Sequence, residues 1–100
     1  MTFTVGKVYT LKLNSGEEVV AKIESKDNFG IIQISNPLSV MPGQQGMGLV
    51  PSMFTAQPGK KVSINMTSIV MFAETEETVE KKYIQATTGI EIPDKKIIMG

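Results

Sequence analysis

The 100-residue chain contains no cysteine, no histidine and no arginine. Without cysteine there are no disulfides, thiolate nucleophiles or thiolate metal sites, and an intracellular compartment is the simplest expectation. Without histidine the Ser-His and Cys-His nucleophile pairs and the His-rich zinc sites are excluded as well. Ten lysines are balanced by ten acidic residues, so no basic field covers the chain and any contact with nucleic acid has to be local. The N-terminal MTFTVGKVYT has neither the charged nor the apolar region of a secretory leader, and no stretch is long enough to span a bilayer. These absences predict a cytoplasmic protein with no membrane partner, no cofactor and no metal, which binds and assembles and is not an enzyme.

What is present suffices for one small domain. Apolar residues make up 41% of the chain, enough for a modest core, and domains of this size often gain stability by associating with copies of themselves. Tyr9, Leu11 and Leu13 alternate with Thr10, Lys12 and Asn14, the period of a half-buried strand. Asn14-Ser15-Gly16-Glu17 supplies turn chemistry. A second strand follows, with Val19, Ala21 and Ile23 on one face and Val20, Lys22 and Glu24 on the other. After a turn at Ser25-Lys26-Asp27-Asn28, Ile32 and Ile34 resume the inward face, so the first three strands form a meander.

Pro37 is expected to halt the third strand or its pairing, because proline cannot donate to a ladder. The Gly- and Pro-rich stretch from Pro42 to Pro58, with Met41, Met47, Met53 and Phe54 nearby, reads as a long loop. It is either an insertion whose apolar residues fold back on the domain or an ordered binding loop. Val62 to Asn65 and Ser68 to Ala73 read as two short strands around Met66-Thr67. Ile69, Val70, Met71 and Phe72 run without a polar break, which calls for cover on both faces of the last strand and points to a second copy. Thr75 is the expected cap of a short amphipathic helix beginning at Glu76 and Glu77, with Val79 and Tyr83 on one face and Gly89 as its stop. A final strand is expected between Ile90 and Ile98. The chain thus reads as a single mostly β domain over residues 1–100, with core strands at about 8–36 and 62–73, a loop at about 37–61, and a helix and tail at about 75–100.

The order strand, Gly turn, strand, Asp turn, strand, loop and two short strands resembles the Sm-like (LSm) family, and the resemblance extends to residues. LKLNSGEEVVAKIESKDNFGIIQIS looks like the first Sm motif, with Leu13, Gly16, Ile23, Asp27 and Ile34 at its hydrophobic, glycine, hydrophobic, aspartate and hydrophobic positions. VSINMTSIVMF looks like the second, with Ile64 and Ile69 bracketing the turn between the last two strands. Within the family the chain is similar to short Sm-like chains of cyanophage origin. The resemblance implies a small five-stranded Sm-like (SH3-like) barrel, here with a short C-terminal helix and a long loop between strands 3 and 4. It also implies a cyclic homo-oligomer, pentamer to heptamer, in which the fifth strand of one subunit pairs with the fourth of the next.

For function it implies weak binding of single-stranded RNA through the pore, by Asp27, Asn28, Phe29 and Asn65. In the family the aspartate orders the pocket loop, and the residue two further on often stacks a base. Phe29 has a second reading, as a plug of the barrel. The chain also departs from the family: RNA-binding members usually carry Asn near the end of the first motif and Arg-Gly in the second, where this chain has Ile31 and Asn65-Met66. These departures, the missing arginine and the zero net charge support the competing expectation, a structural or adaptor ring for protein partners that has lost RNA binding.

Other motifs carry less. Glu17 and Glu18 are neighbours on a strand and point to opposite faces, a poor acid-base pair. Glu74, Glu76, Glu77 and Glu80 read as a solvated helix start rather than a cation site. Around Gly46-Met47-Gly48 the sequence makes neither the strand before it nor the helix after it that a phosphate loop needs evident.

Overall fold

The computed structural model describes residues 2–88 except 28, 45 and 58. The alternating segments form strands where expected: β1 (Val8–Leu13), β2 (Glu18–Lys26) and β3 (Ile31–Gly43), paired in antiparallel order. They are joined by β4 (Gly46–Pro51), β5 (Val62–Asn65), a 3-10 turn (Met66–Ser68), β6 (Ile69–Glu74) and the helix α1 (Glu77–Thr88). The domain is mostly β and antiparallel with one short C-terminal helix, as the sequence predicts. Along the sheet the order is β4-β3-β2-β1-β6, and β5 also pairs with β3.

The expected loop of 37–61 is corrected, and so is an end of the third strand at Pro37, although its pairing with β2 does break there. β3 runs through Pro37 to Gly43 and pairs with β4 from Leu38 opposite Pro51 to Gly43 opposite Gly46, so much of the expected loop is strand, and of its described residues 44, 52–57 and 59–61 lie outside the strands. The proline is tolerated because the ladder is already interrupted there. Pairing with β2 steps from Lys22–Ser35 to Val20–Leu38, which leaves Asn36 and Pro37 together opposite Ala21 as a bulge. Asn36 takes the positive φ of 48° that lets the strand turn, and Pro37 contributes only its carbonyl, which accepts the Ser52 N–H at 3.0 Å. The same outer edge of β3 therefore holds β5 on its first part and β4 on its second, and the described strands number six rather than five.

The core lies on one face of the sheet and gathers Tyr9, Leu11, Val19, Ala21, Ile23, Ile32, Ile34 and Ile69. Phe3 joins it from ahead of β1, edge-on to Tyr9 at 5.0 Å between ring centres and tilted on Phe72 at 4.3 Å. The other face has its own small cluster, in which Val8 and Val20 are covered by Tyr83 of α1, with Leu38, Val40, Leu49 and Val79 around them. Val20 therefore does not share the polar face with Lys22 and Glu24 in character: it is fully buried.

The start of α1 also differs from expectation. Thr75 is buried, with its hydroxyl 3.1 Å from that of Thr10, so it is spent on the sheet. Glu76 takes over as cap, accepting the Val79 N–H at 3.2 Å. Hydrogen bonds from the Thr78 and Val79 backbone hold its carboxyl below the usual range. The Gly89 stop and the strand expected between Ile90 and Ile98 lie outside the described residues.

Candidate functional site

At one end of the sheet the turn between β2 and β3 meets the corner between β5 and the 3-10 turn. Asp27 organises this turn. Its Oδ1 accepts the N–H of Phe29 at 2.8 Å and of Ile31 at 3.1 Å, while its own N–H donates to the Ile31 carbonyl at 3.2 Å. This is an Asx-type turn, in which a short carboxylate satisfies donors that a loop would otherwise leave to water. Gly30 adopts φ +85°, a value only glycine takes without strain, and its carbonyl accepts the Met66 N–H at 2.8 Å. That bond, with Ile31 directly opposite Asn65 in the β3–β5 ladder, ties the turn to the second corner.

Of the four residues expected at the site, Asp27, Phe29 and Asn65 are brought to this one rim, and Asn28 lies outside the described residues. Phe29 is 89% exposed, so it plugs nothing within the chain. Asn65 is exposed and extended, and its amide makes no capping bond to the turn that follows it. Lys26 contributes a cation next to the turn, although its Nζ also donates to the Phe3 carbonyl at 2.9 Å. Gly30 and Met66 are the contributors the sequence reading missed. Gly30 was visible as a glycine directly after the Asp turn, whereas the Met66 contact joins segments far apart in the chain and leaves no local signal.

The rim offers one flat aromatic face, one exposed amide without a hydrogen bond among the described residues, and a carboxylate already committed to the loop. That set suits stacking and hydrogen bonding of a planar group. Among the described residues no three His, Cys, Asp or Glu side chains gather as a metal site, and no helix is long and apolar enough to cross a membrane. No family model matches the chain, and no curated protein matches it.

Removing the organising carboxylate tests this geometry directly. Asp27→Ala is expected to cost only about 0.5–1.5 kcal/mol, because the turn is exposed and water can replace the lost acceptor. Hydrogen exchange at the Phe29 and Ile31 amides should nevertheless accelerate strongly relative to the rest of the sheet. Unaltered exchange at both amides would show that Asp27 does not hold the turn.

Proposed function

We propose that this chain is a Sm-like protein whose copies close into a homo-oligomeric ring, pentamer to heptamer, and that the assembly binds single-stranded RNA weakly by stacking bases on Phe29. The observation that carries the RNA reading is an aromatic side chain 89% exposed on a turn held by Asp27, at the same rim as the exposed Asn65. Holding a large apolar group out in water has no benefit to the isolated fold, whereas a pre-positioned aromatic lowers the entropy lost when a base stacks on it.

The strand order supports the ring. β5 and β6 occupy opposite outer positions of the sheet yet are consecutive, joined by the three-residue 3-10 turn, which is the connection an SH3-like barrel uses to bring its ends together. Each has a single partner strand among the described residues, which leaves one edge of each for a neighbour. Such head-to-tail pairing of unlike edges closes into a ring when the rotation fits, and a ring repeats one weak site many times. The cytoplasm is the compartment this role implies.

An adaptor ring without RNA binding is the second reading. It is favoured by the absence of arginine and the zero net charge, and by Ile31 and Asn65-Met66 at positions where RNA-binding members of the family carry polar and basic residues.

Titration of fluorescent oligo-U and oligo-A with wild type and Phe29→Ala, at low and moderate salt, separates the two. Stacking predicts a loss of about 1–3 kcal/mol per engaged base for Phe29→Ala, with thermal unfolding unchanged because the side chain lies outside the core. Affinity should also fall as salt rises. Equal affinities for the two proteins in a folded assembly would remove Phe29 from the site and leave the adaptor reading.

A further inference from the structure

All twenty charged side chains lie outside residues 28–59. This uncharged third of the sequence builds the second part of β3 and all of β4, and β2 stops pairing with β3 at Ser39, so Val40–Gly43 and the strand beside them run on beyond the last β2 pair. One face of this hairpin is anchored, since Leu38, Val40 and Leu49 pack against the cluster of Val8, Val20 and Tyr83. The outer edge of β4 has no strand partner among the described residues.

Exposed edges are normally guarded by charge, bulges or proline, because a free row of N–H and C=O groups pairs with any strand that reaches it. The edges of β5 and β6, which the proposed ring would pair with each other, each carry a guard against unspecific pairing. Lys60 and Lys61 precede β5. β6 carries a register shift and ends at Glu74, whose carboxylate meets Lys7 at 3.1 Å. β4, Gly46-Met47-Gly48-Leu49-Val50-Pro51, has an unbroken register, no charge and a proline only at its end. Met47 within it and Met41 on the strand beside it are 57% and 53% exposed.

We propose that β4 pairs antiparallel with β4 of a second copy about a two-fold axis, joining two sheets edge to edge. An antiparallel pair is self-complementary under a two-fold rotation, so one strand suffices as both halves of the contact. The absence of charge means that nothing repels at the axis and that a polyanion, a headgroup or a charged peptide has nothing there to recognise. This contact is separate from the β5–β6 contact of the proposed ring and does not depend on it.

Gly48 gives the test. Its φ lies outside the left-handed region, and a Cβ there would meet only the Met41 carbonyl oxygen, at 3.9 Å, an ordinary contact. Gly48→Lys therefore sets an ammonium group in the middle of the seam without disturbing the chain's own fold, while Gly48→Val keeps the edge apolar. Light scattering is run on both, and on both combined with Val70→Lys, which charges the β6 edge of the ring contact. The expected mass for Val70→Lys alone and with Gly48→Val is twice the chain's 10.9 kDa, and for Val70→Lys with Gly48→Lys it is that of one chain. With Val70 intact, Gly48→Lys should halve the mass that Gly48→Val retains. Met47→Lys serves as a second charged variant should Gly48→Lys fail to fold by circular dichroism. Equal masses for charged and apolar variants, all folded, overturn the β4 pairing whatever becomes of the ring, and a ring that persists in Val70→Lys counts against the ring contact alone.

Discussion

Tyr83→Ala is expected to destabilise the domain by about 3–5 kcal/mol, the usual cost of truncating a buried aromatic. Tyr83 is the buried residue of α1, and its side chain is what docks the helix. The hydroxyl donates to the Ser35 carbonyl at 2.8 Å and accepts the Lys22 N–H at 3.1 Å, so it bridges β3 and β2 while the aromatic face covers Val8 and Val20. Tyr83→Phe keeps the apolar contact and leaves those two backbone groups unpaired, at about 1–3 kcal/mol. Denaturant unfolding followed by circular dichroism measures both. An unchanged midpoint for Tyr83→Ala would mean that the helix adds nothing to the fold.

The same hydroxyl makes a pH prediction. Burial pushes its pKa from 10.0 up to about 12. Below pH 10 the tyrosine is protonated in both states and its full contribution is present. As pH rises from about 10 to about 12 the unfolded chain ionises first, so stability falls across that window and levels off beyond it. Lysines titrate there too, and the informative quantity is the difference between wild type and Tyr83→Phe. That difference should shrink with rising pH, and a constant difference would contradict the burial of the hydroxyl.

Val70→Lys is expected to collapse the proposed ring to two copies or fewer while each chain stays folded. Pairing of β6 with β1 steps from Lys12–Met71 to Leu13–Ile69, so Val70 is the extra residue of a bulge and stands 60% exposed beside Met71 at 66%. Within one chain a lysine there reaches water freely. In an interface the same ammonium is desolvated without a partner, at a cost of several kcal/mol, and every 1.4 kcal/mol or so weakens each contact about tenfold. Sedimentation at tens of micromolar reads the outcome directly. An assembly of wild-type mass would exclude β6 from the interface.

Much of the fold is legible in local pattern. Tyr9 and Leu11 against Thr10 and Lys12, and Val19, Ala21 and Ile23 along β2, follow the two-residue pleat, and the pleat decides which side chains share a face before any partner is known. The Asp27 turn is equally local, because a carboxylate reaches the N–H groups two and four residues on wherever the chain folds back. The pairing of Val79 with Tyr83 on one helix face follows from the helical period in the same way. These features depend only on residues a few positions apart, so sequence alone determined them.

The rest was decided by contacts between distant segments. Pro37 and the glycines of 43–48 argue locally for a loop, yet β3 continues because its bulge sits opposite Ala21 and because Leu38, Val40 and Leu49 find cover under α1. Thr75 is locally the better helix cap, and it lost that place to Glu76 because Thr10, on a strand far away in sequence, claims its hydroxyl. Phe3 entered the core only because β1 and β6 bring Tyr9 and Phe72 to it. Phe29 could have packed inward or stood in solvent on its sequence alone. What left it outside was a core already filled by Ile23, Ile32 and Ile34, since side chains in a close-packed interior compete for one fixed volume and only the assembled fold shows which of them fit.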